Sequence, residues 1–133
     1  MPAEFYDSNV VLYLGVRGTT KASRARALIE TGGHISVQVL NECTNVLRLK
    51  RKSSWPETRI FMDELHTLLK VWPLTLEIHQ SGLRLAERYG FSIYDSFIVA
   101  AALAADCDTL WSEDMQHGML VDGRLRIANP FAP

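Results

Sequence analysis

Apolar residues along this chain fall into two patterns, short continuous runs and longer stretches in which they recur every three or four positions. The first pattern marks buried strands and the second marks helices with one inward face. Residues 4–6 read as a short extended segment. The run Val10 to Leu14 fits either a helix or a continuation of that strand, because periodicity does not separate the two in so short a run. Lys21 to Glu30 has helical character, with Ala22, Ala25, Leu28 and Ile29 on one side, and Gly32-Gly33 supplies a left-handed stop. His34-Ile35-Ser36-Val37 then reads as a second strand. Val39, Cys43, Val46 and Leu47 mark the inner face of a helix running to about Lys52.

Ser54-Trp55-Pro56-Glu57 has the residue order of a helix start, and the helix it opens carries Ile60, Phe61, Leu65, Leu68 and Leu69. Val71 to Leu74 is extended. Thr75 caps a helix through Tyr89, with Ile78, Leu85 and Ala86 inward and Gly90 closing it. Ser92 opens another through Ala105, apolar nearly all round and therefore expected to be buried. Thr109 to Ser112 and Leu125 to Ile127 read as strands, the second preceded by the turn dipeptide Asp122-Gly123. Helical patterns between short strands predict an α/β fold, a mostly parallel central sheet flanked by helices. The 133 residues contain no repeat, low-complexity segment or linker, which predicts a single domain over 1–133.

Composition narrows the function classes more than it alters the fold. Net charge is −1, so no global basic field draws nucleic acid, and any such contact has to come from a local patch. Cys43 and Cys107 show neither metal nor disulfide spacing, as expected of a reducing cytoplasm. No signal peptide is expected at the N-terminus, and the longest apolar run, Phe97 to Ala105, is far short of the ~20 residues that span a bilayer.

Four of the 15 acids stand out by position. Asp7 and Asp114 follow strand ends, while Glu42 and Asp95 lie early in helices that follow extended segments. Each also has an ordinary role. Asp7 fits a helix cap, Asp95 fits the capping pattern Ser92-x-x-Asp95, Glu42 fits a solvated helix face beside Gln38 and Asn45, and Asp114 fits a loop acid. Glu113 is expected to be solvated. In a parallel sheet, however, those four places converge on one edge. Carboxylates gathered there need a cation, and oxygen donors without Cys or His select Mg²⁺ or Mn²⁺. Two basic clusters accompany them, Arg48-Lys50-Arg51-Lys52 and Arg17-Lys21-Arg24-Arg26, readable as solvated surface or as phosphate contacts. The histidines show no ligand spacing, and Trp55, Trp72 and Trp111 read as core or interface.

Asp7-Ser8-Asn9, Val39-Leu40-Asn41-Glu42, Tyr94-Asp95-Ser96, Ser112-Glu113-Asp114 and Asn129-Pro130-Phe131, in that order and spacing, resemble the PIN-domain ribonucleases, and among them the toxins of VapBC-type toxin–antitoxin pairs. The resemblance implies Mg²⁺-dependent cleavage of RNA at Asp7, Glu42, Asp95 and Asp114, with Asp7, Asp95 and Asp114 holding the metal and Asn9 and Ser112 steadying them. It implies a homodimer and a small antitoxin, with DNA reached only through the antitoxin. Where many relatives place a further acid, this chain has Gln116-His117. Two other function classes remain open at this level: an inactive module that binds RNA or a partner, and an aspartate-based phosphotransfer protein. The Asp-x-Asp of dehalogenase-type phosphatases is replaced here by Asp7-Ser8-Asn9.

Overall fold

A parallel β-structure has to be covered on both faces, and the apolar patterning supplies strands and helices in alternation to do so. The structure is a computed structural model and describes residues 3–133. Six strands form one sheet in the order β3-β2-β1-β4-β6-β5: β1 (Glu4–Tyr6), β2 (His34–Ser36), β3 (Lys70–Trp72), β4 (Thr109–Trp111), β5 (Leu120–Val121) and β6 (Leu125–Ala128). All neighbours are parallel except β5 with β6. The helices are α1 (Ser8–Val11), α2 (Thr20–Glu30), α3 (Val37–Leu49), α4 (Trp55–Leu68), α5 (Leu76–Tyr89) and α6 (Ile93–Ala104).

The Val10 to Leu14 run is helical. Asp7 caps α1, and a 3₁₀ turn over Leu12–Gly15 continues it. Val10, Val11, Leu12 and Leu14 are all buried, so one apolar run packs against the core without extending the sheet. The Leu120–Val121 strand has no counterpart in the sequence reading. It is two residues long and is defined only by its antiparallel pairing with β6 across the Asp122-Gly123 turn.

Helix ends follow the residue chemistry closely. Ser54 and Glu57 form a reciprocal capping box with Pro56 in the first turn of α4, and Gly90 closes α5 at φ +78. α6 is buried at every position from Ser96 to Leu103, as its continuous apolar sequence requires. Burial of a Leu or Ile side chain contributes about 2 kcal/mol, so this one helix anchors the domain. It lies close against α5 at Gly82, where an added Cβ would fall 2.5 Å from Phe97 Cδ1 and 2.9 Å from Cε1. Gly82→Ala is therefore expected to destabilise the fold by about 1–3 kcal/mol, read as a lower urea midpoint at unchanged slope. An unchanged midpoint would show that the Phe97 ring simply swings aside.

The topology matters for function at one place. From β1 the chain crosses to β2 on one side, while β4 pairs with β1 on the other. That reversal opens a crevice beyond the carboxyl ends of β1 and β4. The register aligns Tyr6 with Trp111, so Asp7 and Ser112 emerge side by side at the crevice, joined by the Asp7 N–H donating to the Trp111 carbonyl at 2.9 Å. Among the described residues no helix is long and apolar enough to cross a membrane.

Candidate functional site

Asp7 is both cap and centre. Its Oδ1 accepts from the Ser8 N–H at 2.7 Å, which starts α1, and Oδ2 accepts from the Ser112 hydroxyl at 2.7 Å and the Asn9 amide at 3.2 Å. The residue is 3% exposed. Burial pushes its pKa up to about 7. The charges of Asp95 and Glu42 add to that rise, and the Ser112 and Ser8 hydrogen bonds oppose it.

Glu42 is not a solvated helix-face acid. One carboxylate oxygen accepts from the Ser8 hydroxyl at 2.7 Å and the other from Gln38 at 3.1 Å, one helical turn away. Ser8 Oγ also lies 3.3 Å from Asp7 Oδ1, so this hydroxyl bridges the two acids. Ser36 brings α3 to the crevice by accepting the Val39 N–H at the helix start, immediately after β2.

Asp95 sits in the first turn of α6, half-buried, its N–H donating to the Ser92 hydroxyl at 3.3 Å. Burial raises its pKa, and the charges of Glu42 and Asp114 raise it further, against a lowering by Ser92. Asp114 is exposed just beyond β4, and its N–H donates to Ser112 Oγ at 3.3 Å. The Ser112 hydroxyl thus ties Asp7 to the turn that carries Asp114, and it also accepts from the Met115 N–H at 3.2 Å. Asn9 completes this web, accepting from the Glu113 N–H at 3.1 Å while its amide donates to Asp7. The four acids share one electrostatic neighbourhood. Among the described residues, however, no three acidic, His or Cys side chains close into a ready cage for an ion. The donor set is oxygen only, which suits a hard divalent cation.

Glu113 departs from the sequence expectation of a solvated acid. It accepts from the Tyr13 hydroxyl at 3.0 Å and pairs with Lys21, and its side chain is 23% exposed. Long-range partners of this kind leave no local trace in the sequence. The sequence reading gives Ser8 and Gln38 no role, although the four-residue spacing from Gln38 to Glu42 is a local signal for their contact. Phe131 packs edge-on to Tyr13 at 5.1 Å. His117 accepts the Asn129 N–H at 2.9 Å and holds the C-terminal turn.

Several arginines of the basic clusters are held by backbone carbonyls. Arg51 donates to the Leu12 carbonyl at 3.0 Å, Arg26 to the Leu14 carbonyl at 2.7 Å and Arg24 to the Pro130 carbonyl at 3.3 Å. A cleft of about 360 Å³ is lined by Ser8, Asn9, Lys50, Arg51, Glu113 and Asp114, so cations face acids across it.

The PIN domain family model matches residues 5–117, most of the chain and all four acids. This chain belongs to the PIN-domain family. No curated protein matches the PIN domain described here. Several solved structures share its fold. A toxin–antitoxin complex from Klebsiella pneumoniae is similar at 16% identity over 97% of this chain and 98% of its own, with a TM-score of 0.72. The VapBC pair of Rickettsia felis, bound to a DNA fragment from its promoter, is similar at 18% identity over 96% and 98%, TM-score 0.69. A sarcin–ricin-loop-cleaving VapC toxin of Mycobacterium tuberculosis is similar at 18% identity over 81% and 87%, TM-score 0.66. At these identities the likeness is one of fold.

Proposed function

We propose that this PIN-domain protein is a Mg²⁺-dependent endoribonuclease, the toxin of a type II toxin–antitoxin pair. The observation that carries the reading is the buried Asp7 carboxylate, fixed by Ser8, Asn9 and Ser112 within the field of Glu42 and Asp95 at the sheet's switch point. Asp7, Asp95 and Asp114 would hold the metal, with Mn²⁺ a substitute. When bound, the ion supplies charge neutralisation on the phosphate and lowers the pKa of water. The protein's own part is positional. Ser112 and Asn9 fix the Asp7 rotamer, Ser8 and Gln38 fix Glu42 so that it can orient the attacking water, and Lys50 and Arg51 attract the RNA backbone past the acids.

The toxin role is supported by the shared fold with toxin–antitoxin complexes along nearly the whole chain. A small antitoxin and a second copy of the chain are the partners in this reading, DNA is met only through the antitoxin, and the setting is the cytoplasm. Exposed Ile60, Leu76 and Leu83 offer apolar surface of the kind partner chains cover. The test is cleavage of cellular RNA by the purified protein with Mg²⁺, with Mn²⁺ and with a chelator. Cleavage should require the metal and stop on co-purification with the product of an adjacent small gene. Cleavage that survives chelation refutes the metal-site reading.

A further inference from the structure

One side of α3 faces a groove of about 770 Å³ that the acidic site does not account for. It starts at Gln38 and Glu42 and reaches Arg48 and Trp55, with Tyr94 at the head of α6 also lining it. Its size lies within the range of small-ligand pockets, roughly 300–1,000 Å³. Because Glu42 belongs both to the groove and to the acid constellation, any occupant adjoins the reaction centre.

The lining has a particular chemistry. Trp55 and Tyr94 are 54% and 61% exposed, two large rings held in solvent beside a site of negative charge. The Arg48 guanidinium lies 4.1 Å from the Trp55 ring centroid, and its Nη1 donates to the Ser53 carbonyl at 2.6 Å. The result is a flat, fixed cationic platform. Asn41 and Asn45 are exposed one turn apart on the same helix, so their amides offer donors and acceptors side by side. Stacking planes next to paired amides match an unstacked base and its hydrogen-bonding edge. The four acids repel a phosphate chain, whereas Arg48 here, and Lys50 and Arg51 in the cleft on the other side of α3, offset that repulsion.

We propose that this groove is a base subsite: an unpaired nucleobase adjoining the cut phosphate stacks on the aromatic and guanidinium planes of Trp55, Arg48 and Tyr94, and Asn41 and Asn45 read its edge. The inference rests on the ribonuclease reading and gives α3 two tasks, catalysis at Glu42 and nucleotide choice one turn on.

The experiment pairs binding with cleavage. A labelled short single-stranded RNA of random sequence is titrated in Ca²⁺, and the ends it leaves on cleavage in Mg²⁺ are sequenced. Trp55→Ala should weaken binding about 10-fold or more and raise KM with kcat largely kept, and Trp55→Phe should restore both. Asn41→Ala with Asn45→Ala should flatten the nucleotide preference at one position beside the cut. Metal-dependent cleavage with wild-type KM and wild-type ends in all of these variants overturns the subsite and leaves the ribonuclease standing. If Trp55→Ala keeps RNA affinity and loses only a protein partner, the groove is a protein interface and the proposal is wrong. Absence of any RNA cleavage by the folded wild-type protein with Mg²⁺ or Mn²⁺ removes the ribonuclease reading itself.

Discussion

Replacing Asp7 by asparagine is expected to abolish cleavage while making the metal-free protein less sensitive to alkaline pH. A metal-bound carboxylate contributes several kcal/mol to catalysis, so a fall of roughly 10³-fold or more is expected. The stability effect follows from the buried carboxyl group. Its pKa is about 7 in the folded protein against an ordinary 3.8. Between those values the folded state keeps a proton that the unfolded chain has released, so stability falls as pH rises through this window. At 1.36 kcal/mol per pH unit, the wild-type metal-free protein loses about 4 kcal/mol between pH 4 and pH 8 through this residue. Asparagine does not titrate and removes that loss. Its amide NH₂ takes the place of one carboxylate oxygen and so meets either the Ser8 N–H or the donors of Asn9 and Ser112, a cost of about 1–3 kcal/mol that is present at every pH. The measurement is urea unfolding in chelator from pH 4 to 8. The wild-type curve should slope downward and the variant's should be much flatter, with a residual slope from Asp95, whose pKa is also raised. Parallel slopes would mean that Asp7 is not buried as a strained acid.

The second large effect is expected at Ser112. Its side chain is fully buried and makes four connections: it donates to Asp7 and accepts from the N–H groups of Asp114 and Met115 and, at 3.5 Å, from the Asn9 amide. Ser112→Ala leaves those two N–H groups without their acceptor and Asp7 without its closest side-chain donor, a loss of about 1–3 kcal/mol in stability. Activity should fall about 10–100-fold, as when a residue supporting a metal ligand is removed. A purely structural role would stop there. The hydrogen bond also favours ionised Asp7, so its loss raises the Asp7 pKa and moves the acidic limb of the rate–pH profile towards higher pH. A variant with reduced stability and an unmoved profile would rule out the positioning role.

The sequence by itself determined most of the element types, though not the helical state of Val10 to Leu14, and it placed the four acids after strand ends or early in helices. Caps at Ser54, Thr75 and Ser92 and the stop at Gly90 are local chemistry, carried by residues within a turn of one another, and they appear in the structure where the residues put them. The apolar continuity of α6 dictated its burial for the same reason. The capping role of Asp7 is compatible with its place in the candidate site, since the Ser8 N–H it caps meets Oδ1 while the Ser112 hydroxyl meets Oδ2 of the same carboxylate. Only the tertiary structure decided which partners these acids have. Ser8 reaches Glu42 across 34 positions, Ser112 reaches Asp7 across 105 and Tyr13 reaches Glu113 across 100. Such pairs form because parallel register lays β1 beside β4 and sends α3 off β2 into the same crevice. No local periodicity encodes that alignment. The two-residue β5 and the groove between Glu42 and Trp55 are of the same kind, fixed by what lies alongside them.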